Sequence, residues 1–205
     1  MFWDRIAAVY DLFGNIYNGK VNREMCEAVC SQIEKTDNVL ECPCGTGMIF
    51  ELIAGKCRKL VASDFSHGML EQTQRKCRKY ANVEVRFADI MALDFPDESF
   101  DIVIAANVIH LLDEPVQALK ELDRVCRQGG KLIIPTYVND ENTGKTGNFA
   151  RIVNKAGADF KRQFTYANYM DFFTEAGYTD VETRLIRGRI PCALAVIRKQ
   201  KGRNR

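Results

Sequence analysis

The sequence predicts an α/β domain with a mostly parallel sheet of seven strands and helices on both of its faces. From Asp37 onward, short runs rich in Val and Ile alternate with amphipathic stretches of helical length. This alternation is typical of parallel strands joined by covering helices. The chain has 205 residues, which is enough for one such core and short for two. We therefore expect a single Rossmann-like domain.

Caps and breaks in the sequence place the individual elements. Ser66 is suited to cap a helix, and Pro115 suits the first turn of another. Gly129-Gly130 predicts a break before the fifth strand, and the last two strands read as an antiparallel hairpin that closes the sheet. The predicted strands are 38–42, 59–63, 83–88, 100–106, 131–136, 178–186 and 192–198, and the predicted helices are 48–55, 66–80, 115–127 and 166–175.

Residues 1–36 precede the sheet, which is complete in residues 37–205. The first segment is apolar and aromatic at its start, and we expect it to be helical. Two interpretations remain open: a lid that folds over the ligand crevice, or a helix packed on the back of the sheet. The polar stretch 139–148 predicts a loop.

Composition argues against several classes of protein. The net charge of +2 gives no field strong enough to imply nucleic acid, which is therefore not an expected partner. The eight cysteines lack the paired C-x-x-C spacing of a zinc site, and we expect free thiols, no metal and a cytoplasmic protein. No apolar run has the roughly 18 residues that would span a membrane.

Polar and glycine residues follow several predicted strands, at the edge of the sheet where α/β domains bind ligands. Gly45 and Gly47 allow a sharp turn before a helix, and Asp64 follows the second strand, 17 residues after Gly47. A carboxylate there can accept ribose hydroxyls. A dinucleotide fingerprint beginning at Gly45 would need Gly or Ala where Phe50 stands, and the Gly-Lys-Ser/Thr of a P-loop is absent.

These motifs resemble those of class I S-adenosylmethionine-dependent methyltransferases, and the branch that methylates ubiquinone and menaquinone precursors is the most similar. The resemblance covers residues 5–136 in order. It rests on Ala8-Val9-Tyr10-Asp11, on 39–47 (VLECPCGTG), on 60–70 (LVASDFSHGML), on Phe87-Ala88-Asp89-Ile90, on 95–101 (FPDESFD), on Asn107-Val108-Ile109-His110 and on Gly129-Gly130-Lys131-Leu132.

The resemblance implies S-adenosylmethionine as the cofactor and assigns residues to its parts. It places Glu41 near the methionine amino group and Asp64 on the ribose, and it directs Asp89 to the adenine amino group. The remaining cofactor contacts that it implies are Tyr10, Pro43, Cys44, Gly45, Gly47, Phe65, Met69, Ile90, Asn107 and Val108. Pro43 stands where the family has its first motif glycine. Because proline has no N–H, the close approach would fall to Gly45 and Gly47.

Methyl transfer from a sulfonium needs orientation and exclusion of water, and it needs a general base only when the acceptor must lose a proton. His110 is the histidine near the predicted crevice, and it is either that base or a packing residue. Ala105-Ala106-Asn107-Val108 replaces the Asn/Asp-Pro-Pro-Tyr/Phe tetrapeptide that orients planar nitrogens. Aromatic residues recur in the flanking segments, so we expect a small apolar or aromatic acceptor.

Two alternatives stay open at this point. One is a non-catalytic protein that binds an adenosine ligand, and the other is a nucleic-acid methyltransferase. The sequence leaves the oligomeric state undetermined.

Overall fold

The computed structural model describes residues 2–139 and 161–200, except for the side chains of Phe2 and of residues 5–17. The predicted loop 139–148 lies outside the described residues apart from Asn139. The helices are α1 (Phe2–Cys30), α2 (Phe50–Ile53), α3 (His67–Cys77), α4 (Pro115–Val125) and α5 (Tyr166–Glu175). The strands are β1 (Asn38–Glu41), β2 (Lys59–Asp64), β3 (Val83–Phe87), β4 (Phe100–Ile104), β5 (Cys126–Tyr137), β6 (Val181–Ile186) and β7 (Cys192–Arg198).

The seven strands form one sheet in the order β3-β2-β1-β4-β5-β7-β6. The first five are parallel to their neighbours, and β7 runs antiparallel to both β5 and β6. The predicted mostly parallel sheet with a C-terminal hairpin is thereby confirmed. The chain moves outward from β1 to β3 and then returns to place β4 on the other side of β1. Ligands of open α/β sheets bind where the strand order reverses in this way, beyond the carboxyl ends of β1 and β4.

Both faces of the sheet are covered by helices, as predicted. Val39 packs into one core cluster with Met25 of α1 and Phe50 of α2. The next residue, Leu40, packs into the cluster on the other face, which contains Leu119 of α4 and residues of α5. Because successive side chains of a strand point to opposite faces, a strand buried on both sides reads as an unbroken apolar run.

Two predicted boundaries are wrong. The helix expected over 48–55 is reduced to the four residues of α2, within a series of turns. Gly129-Gly130 does not precede β5 but lies within it, because the register between β4 and β5 shifts from Phe100↔Cys126 to Ile102↔Lys131. The extra residues on β5 form an irregularity in the sheet. A Cβ on Gly130 would lie 2.6 Å from the backbone oxygen of Asp101, so the close approach there requires glycine.

Helix α1 is two helical segments merged across a kink at Asn18, whose backbone is non-helical (φ −137°, ψ 22°). The Asn18 side chain donates to the carbonyl of Ile190 at 2.9 Å and accepts from the Ile190 N–H at 3.2 Å. Beyond the kink, Val21, Met25 and Val29 are buried against the sheet. In the described ranges, no helix is long and apolar enough to cross a membrane.

Gly47 turns the chain before α2 with a φ of +92°, and a Cβ there would overlap the ring of the buried Phe50. We expect Gly47→Ala to lower the free energy of unfolding by about 2–4 kcal/mol, because the backbone strain and the overlap add. Gly55→Ala is the matched control, since a Cβ at Gly55 meets nothing within 4 Å. It should change stability by about 0.5 kcal/mol or less. Equal urea midpoints for the two variants would contradict this account.

Candidate functional site

A cavity of about 310 Å³ opens at the carboxyl ends of the central parallel strands. Residues from four successive strand ends line it, together with the start of α3 and one residue of α1. Of the residues singled out from the sequence, those that line it are Glu41, Pro43, Cys44, Gly45, Asp64, Phe65, Met69, Asp89, Ile90, Asn107 and Val108. The structure thus brings most of the predicted site residues together around one space.

The glycine turn after β1 is held in place by hydrogen bonds to its neighbours. Gly45 has a φ of +54°, which a residue with a side chain rarely adopts. Its N–H donates to Asp64 Oδ2 at 2.9 Å, and its carbonyl accepts from Thr73 Oγ1 at 2.9 Å. Pro43, joined to Cys42 by a cis peptide bond, lies at the cavity wall beside this turn.

Gly47, predicted to approach the cofactor, is not among the described residues that line the cavity. Its positive φ and the neighbouring Phe50 ring require a glycine for reasons of folding. The motif therefore combines one glycine that borders the cavity with one that permits the turn into α2.

Asp64 ends β2 and is buried. Its Oδ2 accepts from Gly45 N–H and its Oδ1 from Ser66 N–H at 2.8 Å. Burial raises the pKa of this carboxyl, while the N–H groups of Ser66 and Gly45 act in the opposite direction. Each carboxylate oxygen keeps a further lone pair, so Asp64 can accept hydroxyl groups from the cavity as well as holding the turn.

Glu41, the last residue of β1, is only 1% exposed and lines the cavity. Its Oε2 has no hydrogen-bond partner in the described part of the chain. Burial, followed by the charge of Asp64, raises the pKa of Glu41 well above its usual value. A buried carboxyl oxygen without a partner is costly, and a ligand that presents a cation or an N–H donor would relieve that cost.

Asp89 and Asn107 shape the wall at two other strand ends. Asp89 Oδ1 accepts from the N–H of Met91 at 2.9 Å, which fixes the turn after β3. Asn107 follows β4 with a φ of +52°, a conformation that asparagine tolerates better than most residues. Its Oδ1 accepts from Tyr137 N–H at 3.1 Å and its own N–H donates to Pro135, so β5 holds this wall in position.

His110 does not reach the cavity. It is 3% exposed, and burial lowers its pKa to about 4, so the imidazole is neutral at pH 7. Among the described residues, the wall after Asn107 is formed by Val108, Leu111 and Leu112, while the backbone carbonyl of His110 accepts from Lys161 and Arg162. This placement matches the interpretation of His110 as a packing residue.

Several lining residues were not predicted. Thr46, Met48 and Ile49 follow the glycine turn directly, and Leu111 and Leu112 lie one turn beyond Asn107, so proximity to the motifs could have identified them. Trp3 also lines the cavity, although only its aromatic character marked it in the sequence. The side chain of Tyr10, predicted to contact the cofactor, lies outside what the structure describes.

Comparison with known proteins identifies the domain. Residues 40–134 match the family described as a methyltransferase domain. The chain is 33% identical over 134 residues to a phosphatidylethanolamine N-methyltransferase of Cereibacter sphaeroides, an alignment that covers 63% of this chain and 64% of the relative. It is 30% identical over 148 residues to a ubiquinone/menaquinone biosynthesis C-methyltransferase of Hahella chejuensis, covering 68% of this chain and 59% of the relative.

The chain thus spans about three fifths of the length of these curated relatives. Among solved structures, a possible histamine N-methyltransferase of Thermotoga maritima superposes with a TM-score of 0.74 at 21% identity, covering 97% of this chain and 99% of that one. This likeness supports the Rossmann-like fold. Together with the motifs at the strand ends, these matches show that residues 40–134 form a methyltransferase domain similar to those of the class I S-adenosylmethionine-dependent family.

Proposed function

We propose that the protein transfers a methyl group from S-adenosylmethionine to a small apolar or aromatic acceptor. The observation that supports this most strongly is the pair of acids at the ends of adjacent strands. Asp64 is hydrogen-bonded to the glycine turn, and Glu41 presents a buried oxygen without a partner among the described residues. The two acids suit the two polar ends of S-adenosylmethionine, a hydroxylated ribose and a charged amino group.

The remaining cofactor contacts follow from the cavity lining and from the family resemblance. Glu41 would bind the amino group of the methionine part, and Asp64 the ribose hydroxyls. Asp89 would accept from the adenine amino group, with Phe65 and Ile90 against the ring. Met69 would lie between the ribose and adenine, and Pro43, Cys44, Gly45, Asn107 and Val108 would border the methionine end.

S-adenosylmethionine supplies a methyl group that its sulfonium already activates for in-line displacement. The work left to the protein is to orient the reactants and to exclude water. Trp3, Leu111 and Leu112 contribute apolar surface to the cavity wall and suit that purpose. We assign no general base, because His110 is buried away from this wall and its pKa of about 4 makes it a weak base.

The apolar character of the wall is the argument for the acceptor class. Apart from the acids, most residues that line the cavity are apolar, among them Met48, Val108 and Leu112. The two relatives are named for a phospholipid acceptor and for ubiquinone and menaquinone biosynthesis. A small-molecule acceptor and a cytoplasmic location stay predictions for this chain.

The first test replaces Asp64. We expect Asp64→Ala to weaken binding of S-adenosylhomocysteine, the demethylated product, by about 1.5–3 kcal/mol through loss of a charge-assisted bond. Because Asp64 also accepts from Gly45 and Ser66, the variant should lose stability as well, by roughly 1–3 kcal/mol. Asp64→Asn keeps one acceptor oxygen and should be the more stable of the two. Unchanged affinity in calorimetry would show that Asp64 serves only the turn.

Glu41→Gln should have opposite effects on stability and on binding. The raised pKa of Glu41 means that folding costs more as the pH rises above the ordinary glutamate value of 4.5 and through the folded value. Glutamine removes this cost, so the ligand-free melting temperature at pH 7 should rise by about 2–4 °C, equivalent to ~1 kcal/mol for a chain of this length.

The same variant should bind S-adenosylhomocysteine at least about tenfold more weakly, because the amino group loses its anionic partner. The wild type should release protons on binding, since the ligand's positive charge favours ionised Glu41 and lowers its pKa. Calorimetry in two buffers of different ionisation enthalpy measures this release. A Glu41→Gln variant that is less stable and binds equally well would contradict the assignment.

The activity is tested with S-adenosylmethionine that carries a deuterated methyl group. We expect mass spectrometry to find the label in quinols or phenols and not in oligonucleotides, with loss of product in Asp64→Ala. S-adenosylmethionine and S-adenosylhomocysteine should raise the melting temperature, and NAD should not. Label in oligonucleotides alone would favour the nucleic-acid alternative, and binding without turnover on quinols, phenols and amino lipids would favour a non-catalytic protein.

A further inference from the structure

We propose that Asp4 is a positioning residue that fastens the first turn of α1 to the start of α3 and so holds Trp3 at the cavity wall. The inference rests on the proposed function, since it concerns how the cofactor cavity is closed. It assigns a role to a residue that belongs to none of the motifs at the strand ends.

The carboxylate of Asp4 accepts two hydrogen bonds at the beginning of α3. Its Oδ1 accepts from Ser66 Oγ at 2.7 Å and from Gly68 N–H at 3.0 Å. These two donors hold the pKa of Asp4 well below its usual value, with the Gly68 N–H acting most strongly. The negative charge lies at the N-terminus of α3, where the helix dipole favours an anion.

Backbone packing at Gly68 supports the same contact independently. A Cβ on Gly68 would lie 2.8 Å from Asp4 Cα and 2.9 Å from the Asp4 carbonyl oxygen. The first turn of α1 therefore rests directly on the backbone of α3, at a distance that only a glycine allows. Gly68 has no positive φ and does not line the cavity, so this contact is what requires glycine at the position.

The Asp4 contact is linked to the cofactor acids through one residue. The Ser66 hydroxyl donates to Asp4 Oδ1 and accepts from Met69 N–H at 3.2 Å, and the Ser66 N–H donates to Asp64 Oδ1. The ordering of Asp64 and the docking of α1 therefore share the same cap. Binding that stabilises one arrangement of Asp64 should favour the docked position of Asp4.

Trp3 precedes Asp4 and lines the cavity together with Met69. The far end of this segment is fixed at Asn18, where α1 kinks and bonds to Ile190. Among the described contacts, Asp4 supplies two hydrogen bonds near the start of α1 that hold the backbone next to Trp3 against α3. This arrangement makes the start of α1 a cover for the cofactor cavity, attached at Asn18 and closed at Asp4.

Trp3 is the only tryptophan of the chain, so intrinsic fluorescence reports on this cover directly. The experiment compares Gly68→Ala in α3 with a control in α1, Gly19→Ala, whose Cβ meets nothing within 4 Å. Alanine favours the helix at position 68, so loss of α3 does not explain an effect there. In Gly68→Ala we expect Trp3 emission to shift to the red without ligand and S-adenosylhomocysteine to bind about tenfold more weakly by calorimetry.

Two substitutions of Asp4 complete the test. Asp4→Ala should reproduce both effects, and Asp4→Asn, which keeps an acceptor oxygen, should recover part of the wild-type emission and affinity. Circular dichroism should show all variants folded. Failure of the wild type to bind S-adenosylhomocysteine would contradict the proposed function. The ligand-free emission of Trp3 would still test the Asp4 contact in that case. Identical emission and affinity in wild type, Asp4→Ala and Gly68→Ala would overturn this inference.

Discussion

The site depends on one buried carboxylate that bridges two backbone turns. Asp64 accepts from Gly45 N–H after β1 and from Ser66 N–H at the cap of α3. Neither turn lies within a helix or strand that would fix it, and a buried N–H needs an acceptor. The register of β1 against β2, which pairs Glu41 with Ala62, brings the two turns within reach of the same side chain. The pairing of the two strands thus sets the distance between the two turns, and the Asp64 carboxylate joins them by hydrogen bonds.

Bringing acids together in a buried cavity opposes folding and supports binding. Burial is the larger cause of the raised pKa of Glu41, and the charge of Asp64 adds to it. Backbone N–H groups offset part of the cost of burying the Asp64 carboxylate, whereas Glu41 Oε2 has no hydrogen-bond partner within the described ranges. The fold therefore holds an unfavourable group in the position where we propose that a cationic ligand binds. Sites that are destabilised before binding are a common compromise between stability and function.

The sequence predicted what depends on local pattern and missed what depends on distant contacts. The apolar runs identified every strand of the sheet, and the motif letters identified most of the cavity wall. Gly47 and His110 are not among the described residues that line the cavity, and a motif does not show whether a residue near it faces the cavity or the core. A Cβ on Gly47 would meet the ring of Phe50, and His110 is buried. The irregularity in β5 arises from its register with β4, which no local signal records.

Helix α1 explains why the sequence favoured neither of the two interpretations of its N-terminal segment. Beyond Asn18 the helix packs on the sheet through Val21 and Met25, as a back-face helix would. Before Asn18 its first turn contacts α3 at Gly68 and places Trp3 at the cavity, as the proposed cover requires. A kink allows one helix to do both, because the buried half provides the anchoring energy that a short aromatic turn lacks. In the proposed arrangement, ligand binding favours the docked first turn, because Asp4 and Asp64 share the cap residue Ser66.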